Sequence, residues 1–319
     1  MKLFISTYPF GREDSTPILM LKESGIQFSQ NNLKRKLKPE ETLKFAIDCD
    51  ILIAGTENLE PIITNSSKLK FISRVGIGLD SVPLELCKEK GIRVSYTPDA
   101  VTKAVSELTI GLMIDATRGI SFCDREIRRS EWSRPVGKRL EESRIGILGF
   151  GRVGKSVTRL LRSFQPKEIL VCDIRDITEE IKEFSDLSIR IVSFDDIVSL
   201  SDIISIHVPL TKITKGIFDF EVMKKMKSDN TIINTSRGEV IHEEALYEIL
   251  KKNSTRTAAV DVFQNEPYSG KLIELENCIL TEHIGSCSLD ARLRMESEAA
   301  EEAVRFFNGE QLLQEVVIE

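Results

Sequence analysis

The sequence predicts an α/β protein made of two doubly wound parallel-sheet units, and three observations support that fold class. Apolar runs of strand length alternate with amphipathic helical segments along most of the chain, which is the pattern of parallel strands joined by crossover helices. The length of 319 residues suits about two domains, each able to bury a core. A strand that enters a glycine turn and then a helix, at residues 144–161, marks the start of such a unit in the second half.

Strands and helices alternate through the first hundred residues. We predict strands at Lys2–Ser6, Asp50–Ala54, Lys70–Arg74 and Ile92–Tyr96. We predict helices at Thr16–Ser24, Pro39–Cys49 and Pro83–Lys90. Proline fits the first turn of a helix, and the glycines at positions 25 and 91 are stop signals for two of these helices.

A long helical pattern then runs from about Ala100 to Arg118 and is apolar over much of its surface. Such a helix is typically buried between domains or subunits. Its Ser106-Glu107 pair leaves two interpretations open, an exposed polar face or a hinge or interface role.

Strands and helices alternate again after the glycine turn, and the sequence contains no repeats and no low-complexity linker. We predict strands at Ile189–Val192, Asp202–His207, Asn230–Thr235, Arg256–Val262, Asn277–Thr281 and Val316–Ile318. We predict helices at Asp195–Leu200, Phe220–Lys227, Glu243–Lys252 and Leu289–Phe307.

The stretch from residue 144 to residue 173 has the order strand, glycine turn, helix, strand and acid. Gly149 permits the tight turn, Gly151 lets backbone approach a pyrophosphate, and Gly154 lets the helix pack closely on the strand. Asp173 ends the second strand near the expected offset of about 20 residues, where it can accept hydrogen bonds from the ribose hydroxyls of NAD. A glycine motif alone is weak evidence, but the complete unit predicts an NAD site.

Arg175 lies two residues after Asp173, and an arginine near the ribose can accommodate the 2′-phosphate of NADP. We weight the acid more and predict a preference for NAD.

Composition limits the classes of partner and cofactor. The formal charge of −6 argues against nucleic acid as the main partner, and the basic stretches 34–38 and 125–139 are interpreted as solvated surface. Six cysteines without a C-x-x-C pair suggest buried thiols in a reducing compartment, and three histidines argue against a metal site of zinc type. The N-terminus lacks a signal-peptide pattern, and no run of about 18 apolar residues predicts a membrane span. We therefore expect a cytoplasmic protein.

Three polar residues follow predicted strands where a parallel sheet collects its ligands. Arg237 follows the strand that ends at Thr235, Glu266 follows the strand that ends at Val262, and His283 follows the strand that ends at Thr281. A guanidinium can grip a carboxylate with two hydrogen bonds, and an imidazole held by a carboxylate can transfer a proton. Each residue alone is more simply a surface or loop residue, but the three together favour catalysis.

Two other strand ends contain candidate binding residues. His207 is interpreted as a loop residue beside the cofactor, more than as an acid or base. The loop Arg74-Val75-Gly76-Ile77-Gly78 can expose backbone N–H groups as an anion nest, or it can be an ordinary turn.

Seven sequence blocks together resemble the D-isomer-specific 2-hydroxyacid dehydrogenase family, in its phosphoglycerate-dehydrogenase-like branch. They occur in the family's order over nearly the whole chain: R-V-G-I-G-L-D (74–80), A-V-S-E-L-T-I-G-L-M (104–113), G-F-G-R-V-G (149–154), H-V-P-L-T (207–211), N-T-S-R-G-E (234–239), D-V-F-Q-N-E-P (261–267) and H-I-G-S (283–286). The resemblance implies a Rossmann NAD domain at 99–285, inserted in a flavodoxin-like substrate domain formed by 1–98 and 286–319. It also implies a homodimer joined through the cofactor domain.

The resemblance implies a role for each candidate. Arg237 binds the substrate carboxylate, His283 is the acid/base, Glu266 pairs with His283, and the backbone of Val75, Gly76 and Ile77 holds the carboxylate from the other side. Beyond the three glycines and Asp173, the cofactor contacts implied are Arg152, Val153, His207, Pro209, Thr235, Ser236, Asp261 and Gly285.

Our main hypothesis is an NAD-dependent oxidoreductase that interconverts a small D-2-hydroxy acid and its 2-oxo acid. The alternative is an NAD(H)-sensing binding protein of the co-repressor type. Two departures from the family pattern are Glu282, where a proline is usual, and residues 55–58, which lack the arginine found in members that use 3-phosphoglycerate. We therefore expect weak activity on 3-phosphoglycerate.

Overall fold

The computed structural model of the protein describes residues 1–318 and divides the chain into two compact units. One unit combines Met1–Val101 with the residues from Cys287 onward, and the other consists of Thr102–Ser286. In chain order, the strands are β1 Lys2–Ile5, β2 Gln27–Gln30, β3 Ile51–Ala54, β4 Phe71–Arg74, β5 Arg93–Ser95, β6 Arg144–Leu148, β7 Glu168–Cys172, β8 Ile189–Ile191, β9 Ile203–Ile206, β10 Thr231–Asn234, β11 Thr257–Val260 and β12 Cys278–Leu280.

Eleven α-helices lie between or after these strands in the described part of the chain. They are α1 Thr16–Glu23, α2 Pro39–Ala46, α3 Glu60–Asn65, α4 Leu84–Glu89, α5 Thr102–Arg118, α6 Ile120–Arg128, α7 Arg152–Leu161, α8 Phe194–Leu200, α9 Phe220–Lys224, α10 Glu243–Lys252 and α11 Leu289–Asn308.

The unit that contains the N-terminus has a five-stranded parallel sheet in the order β2-β1-β3-β4-β5. This is the flavodoxin-like order of doubly wound folds. Strands β3 and β4 are buried at every residue, as expected for a sheet covered on both faces by helices. Helix α11 packs on β4, where the rings of Phe71 and Phe306 stack with centroids 4.6 Å apart.

The second unit has a seven-stranded parallel sheet in the order β12-β11-β10-β9-β6-β7-β8. Counted from its own first strand, this is the Rossmann order with one further strand at the edge. Helix α5 packs on α7 and on strands β10 and β11, which explains why its apolar surface is so broad. The predicted fold class, two doubly wound parallel sheets, is confirmed.

Three elements were not predicted, and one predicted strand is absent. Strand β2 and helices α3 and α6 lie outside the predicted strands and helices. In place of a strand at Val316–Ile318, the structure has a single antiparallel bridge between Ser95 and Glu315. The last residues described therefore follow the edge of the small sheet without forming a ladder.

Candidate active site

The glycine turn joins β6 to α7 and brings backbone segments into close contact with one another. Gly149 has φ +92°, and a Cβ atom there would lie 2.7 Å from the carbonyl oxygen of His207. A Cβ atom on Gly154 would lie 2.1 Å from the carbonyl oxygen of Gly149, so the helix and the turn are in backbone contact. The turn therefore requires glycine at both positions.

The N-terminus of α7 faces open space. Gly151 is the N-cap residue, Arg152 and Val153 form the first turn, and nothing lies within 4 Å of a Cβ atom built on Gly151. The N–H groups at a helix N-terminus and the positive end of the helix dipole favour an anion at this position. The predicted turn residues thus form a glycine cradle at the N-terminus of α7, open at the Gly151 Cβ position.

Asp173 follows β7 and is held by backbone and by Arg175. Its Oδ2 accepts from the Phe150 N–H at 2.7 Å, and its Oδ1 accepts from the Arg175 N–H at 2.9 Å. The Arg175 guanidinium lies 3.1 Å from the carboxylate, so this arginine is an ion-pair partner of Asp173. Burial acts to raise the pKa of Asp173, but the hydrogen bonds from Arg175 and Phe150 outweigh it and lower the pKa below its usual range.

His207 and Pro209 lie on the loop after β9, beside the glycine turn. The His207 Nε2 is 2.8 Å from the hydroxyl of Ser205. Desolvation by burial lowers the pKa of His207 to about 3, so the ring is neutral at physiological pH. A neutral ring does not act as an acid at this pH, and the contact of His207 with the cofactor stays a prediction.

The three candidate catalytic residues follow three neighbouring parallel strands. Arg237 follows β10, Glu266 follows β11 and His283 follows β12, and these strands are adjacent in the sheet. Because neighbouring strands lie about 4.8 Å apart and all run the same way, the loops after them emerge side by side at one edge of the sheet. The sheet therefore brings the sequence-predicted residues to one edge.

The imidazole of His283 is hydrogen-bonded to the carboxylate of Glu266. Nδ1 lies 3.0 Å from Oε1 and 2.9 Å from Oε2, and both side chains are partly exposed. Nδ1 is therefore the ring nitrogen that Glu266 engages, and Nε2 lies on the opposite side of the ring.

The loop that presents Arg237 is ordered by a residue that sequence reasoning missed. Asn234 is buried, its Nδ2 donates to the Arg237 carbonyl oxygen at 2.9 Å, and its Oδ1 accepts from the Ser236 N–H at 3.0 Å. The Thr235 hydroxyl lies 3.0 Å from that of Thr109 on α5. Two sequence blocks, N-T-S-R-G (234–238) and A-V-S-E-L-T (104–109), contained a signal for these hydrogen bonds, because each has polar residues where the surrounding pattern is apolar.

Asp261 and Gly285, both predicted to contact the cofactor, are bonded to each other. The Gly285 N–H donates to Asp261 Oδ2 at 2.9 Å, and Asp261 is 1 % exposed. The carboxylate thus joins the end of β11 to the loop after β12.

The loop Val75-Gly76-Ile77 belongs to the other unit, at the carboxyl end of β4. Gly76 has φ +134°, but its N–H donates to the Thr97 hydroxyl at 2.8 Å, and the Val75 N–H donates to the Ala54 carbonyl oxygen at 2.8 Å. An anion at this loop must therefore displace Thr97 or use N–H groups later in the loop.

The fold and the glycine cradle define a dinucleotide-binding α/β protein, and comparison with known sequences identifies its family. The sequence model described as "D-isomer specific 2-hydroxyacid dehydrogenase, NAD binding domain" matches residues 110–285, more than half of the chain. The chain therefore belongs to the D-isomer specific 2-hydroxyacid dehydrogenase family. It is an oxidoreductase of that family, and its cofactor is NAD.

Similar proteins are enzymes of this family. A hydroxypyruvate reductase of Thermotoga maritima is 34 % identical over 297 residues, which cover 91 % of this chain and 93 % of that protein. A glyoxylate reductase of Thermofilum pendens is 36 % identical over 286 residues, 85 % of this chain and 82 % of that protein. The NAD⁺-bound 3-phosphoglycerate dehydrogenase of Entamoeba histolytica has a TM-score of 0.83 at 27 % identity, covering 100 % of this chain and 99 % of that one. These matches do not favour the alternative of a binding protein without catalytic activity.

Residues 1–318 contain no helix that is long and apolar enough to cross a membrane. Within the same residues, no group of three or more His, Cys, Asp or Glu side chains is placed to hold a metal ion.

The loop that carries Arg237 packs against the segment before Glu266 through close backbone contact at Gly238, and a substitution of Gly238 tests this packing. A Cβ atom on Gly238 would lie 2.0 Å from the carbonyl carbon of Phe263, which is backbone and cannot give way cheaply. We predict that Gly238→Ala lowers the free energy of unfolding by about 1–3 kcal/mol, measured by urea denaturation. The control is Gly111→Ala in α5, where nothing lies within 4 Å of the Cβ position, and where alanine should stabilise by about 0.5–1 kcal/mol. Equal stability of Gly238→Ala and the parent would contradict the packing.

Proposed function

We propose that the protein catalyses the reversible interconversion of a small D-2-hydroxy acid and its 2-oxo acid, with NAD as the hydride carrier. The observation that supports this most directly is the hydrogen bond between His283 and Glu266. Glu266 follows the strand next to that of Arg237, and His283 follows the strand after it in the sheet. A guanidinium and an imidazole at the same sheet edge suit a substrate that carries a carboxylate next to a carbonyl or hydroxyl group.

We assign one role to each of the three side chains. When bound, NAD accepts or supplies the hydride at the substrate's 2-carbon. Arg237 binds the carboxylate and polarises the adjacent carbonyl. His283 Nε2 donates a proton to the carbonyl oxygen in reduction, or takes the hydroxyl proton in oxidation. Glu266 holds the ring through Nδ1. The substrate contact that the family resemblance implies for the backbone of Val75, Gly76 and Ile77 stays a prediction.

The residues at the glycine cradle fit the proposed contacts with NAD. The open space at Gly151 leaves room for a pyrophosphate against the N-terminus of α7. Asp173 lies at the end of β7 with an ionised carboxylate that can accept from ribose hydroxyls. The further proposed cofactor contacts come from the loops at the same sheet edge and from the first turn of α7: Arg152, Val153, His207, Pro209, Thr235, Ser236, Asp261 and Gly285.

The substrate is proposed to be small and without a phosphate group. A phosphate needs cationic partners, and residues 55–58 after β3 include none. Glu57 is 2 % exposed, and its carboxylate accepts from the Gly55 N–H at 3.1 Å. The relatives named as hydroxypyruvate and glyoxylate reductases suggest two substrates of suitable size.

A panel of 2-oxo acids tests the proposal. We expect NADH oxidation with glyoxylate or hydroxypyruvate, and weak reverse activity with 3-phosphoglycerate and NAD. His283→Ala should lower the turnover number about 10²–10⁴-fold in both directions, the usual contribution of positioned proton transfer. Fluorescence titration should show nearly unchanged NADH binding in this variant. Unchanged turnover would remove His283 from the mechanism, and no turnover on any 2-oxo acid would refute the proposed function.

Asp173 is proposed to give a preference for NAD over NADP in catalytic efficiency. Its carboxylate repels the 2′-phosphate of NADP and occupies the Arg175 guanidinium. Asp173→Ser removes the repulsion and frees Arg175 to bind that phosphate. We predict that the ratio of kcat/KM for NAD over NADP narrows about tenfold or more, since a charge-assisted hydrogen bond is worth about 1.5–3 kcal/mol. Equal efficiency of the parent with both coenzymes would show that Asp173 does not read the ribose.

We propose that the protein is a homodimer joined through the NAD-binding unit. Residues 127–139, which follow the body of α6, are all exposed. They include Trp132 at 76 % and Val136, which is fully exposed, beside a cavity of about 570 Å³ that Val136 helps to line. Exposed large apolar residues of this kind favour contact with another protein surface, and the same segment of a second copy supplies one.

Val136→Asp tests this dimer. We predict that the variant shifts toward monomer in sedimentation velocity, because a buried aspartate without a partner opposes association. Val317→Asp is the matched control, since Val317 is 84 % exposed but belongs to the other unit. A monomeric parent, or a Val136→Asp variant that remains dimeric, would contradict the proposed interface.

A cytoplasmic location is proposed from the thiols. All six cysteines are free, which suits a reducing compartment.

A further inference from the structure

Four charged side chains form a cluster beside the glycine turn. They are Asp173 and Arg175 after β7, Glu180 at the start of the 3₁₀ helix Glu180–Phe184, and Lys155 in α7. The Arg175 Nη1 lies 3.4 Å from Glu180 Oε1, and the Lys155 Nζ lies 3.0 Å from Glu180 Oε2. Glu180 therefore pairs with two cations, and it shares one of them, Arg175, with Asp173.

The backbone of the glycine turn holds the arginine of this cluster in place. The Arg175 Nη2 donates to the carbonyl oxygen of Phe150 at 3.1 Å, and the Phe150 N–H donates to Asp173 Oδ2 at 2.7 Å. The guanidinium is thus held next to the acid that is proposed to read the ribose. Lys155 directly follows Gly154 in α7, the helix whose N-terminus is proposed to hold the pyrophosphate. Both cations therefore belong to the segments that are proposed to contact the adenosine half of NAD.

The cluster has no net charge, because two carboxylates balance two cations. The Glu180 side chain is 31 % exposed and that of Lys155 is 26 % exposed, so solvent screens their interaction less than it screens a pair on the open surface. A 2′-phosphate would add roughly two negative charges at a place where Arg175 and Lys155 already have anionic partners. The phosphate would therefore have to compete with Glu180 as well as with Asp173 for these cations.

We propose that Glu180 is a second determinant of coenzyme preference, which acts together with Asp173 against the 2′-phosphate of NADP. This inference rests on the proposed contact between Asp173 and the ribose of NAD. Replacement of Asp173 alone releases Arg175 from one carboxylate and leaves it paired with Glu180. A phosphate can use the full charge of Arg175 and Lys155 only when Glu180 is neutral as well.

Glu180→Gln tests the proposal, because it removes the charge of the side chain and keeps its shape. The parent and the variant are titrated with NADPH and with NADH, and binding is followed by nucleotide fluorescence. We expect the Kd of NADPH to fall about three- to tenfold and the Kd of NADH to change less than about twofold. The gain for NADPH should shrink as the salt concentration is raised.

A pair of fragments assigns the effect to the phosphate on the ribose. Adenosine 2′,5′-bisphosphate and 5′-AMP differ only in the 2′-phosphate, and each is used to displace NADH from the parent and from Glu180→Gln. We expect the variant to bind the bisphosphate more tightly and 5′-AMP nearly as the parent does. An equal change for the two fragments would overturn the proposal, because it would not depend on the 2′-phosphate.

Glu183→Gln is the matched control. Glu183 belongs to the same 3₁₀ helix and accepts from Arg159, one turn after Lys155 in α7, at 2.6 and 2.8 Å. This control removes an ion pair between the same two segments, and we expect it to leave the Kd of NADPH unchanged. Equal tightening of NADPH binding in Glu180→Gln and Glu183→Gln would assign the effect to looser packing of the segments and overturn the proposal.

A double-mutant cycle with Asp173→Ser tests whether the two carboxylates act together. Glu180→Gln should tighten NADPH binding more in the Asp173→Ser background than in the parent, because Arg175 is then released from Asp173 and Glu180 together. Lys155→Met in the Glu180→Gln background should remove part of the gain. An unchanged Kd of NADPH on Glu180→Gln in both backgrounds, or equal gains in the two, would overturn the joint role.

Failure of the underlying proposals gives different results. If Asp173→Ser alone leaves the ratio of the Kd values for NADPH and NADH unchanged, Asp173 does not read the ribose. A parent that turns over no 2-oxo acid refutes the proposed reaction, whereas the binding measurements on Glu180→Gln do not depend on turnover.

Discussion

The adjacency of three parallel strands, β10, β11 and β12, is the constraint on which the site depends. Parallel strands all end at one edge of the sheet, so residues far apart in sequence emerge there side by side. The sheet supplies the spacing, but the strand ends alone would leave long side chains free to rotate. Short polar contacts in the loops, from Asn234 and Asp261, fix where each loop points.

The sequence was sufficient for the elements whose pattern is local. The strand, glycine turn, helix and acid from β6 to Asp173 lie as predicted, because each part has a strong preference of its own. Strand β2 was missed because its sequence, Q-F-S-Q, is polar and pairs at only one edge. Helix α3 has six residues, too few for a periodic pattern. Both are held by neighbours that the local sequence does not reveal.

The candidate site also has a part that the sequence predicts and a part that it does not. Strand-end position indicated Arg237, Glu266 and His283, and the structure places all three after adjacent strands. What could not be predicted is the network of hydrogen bonds beneath them, since its members are about 20 residues apart and belong to different loops. The ion pair between Asp173 and Arg175 was equally hidden, because two residues of spacing do not determine whether an arginine faces its neighbour or the solvent.

Buried carboxylates perform a common task in this protein that links its acidic composition to its loop structure. Glu57, Asp261, Glu296 and Glu302 are each at most 5 % exposed, and each accepts from backbone N–H groups of a loop. A loop has N–H groups without the carbonyl partners of a helix or strand, and leaving them buried and unpaired costs about 1–3 kcal/mol apiece. A carboxylate has only acceptors and can hold two or three such donors, whereas an amide or hydroxyl brings a donor of its own. The loop after β12 combines this use of a buried carboxylate with the proposed chemistry. Asp261 accepts from the Ile284 and Gly285 N–H groups, and the same loop carries His283, the proposed acid, in a left-handed backbone conformation.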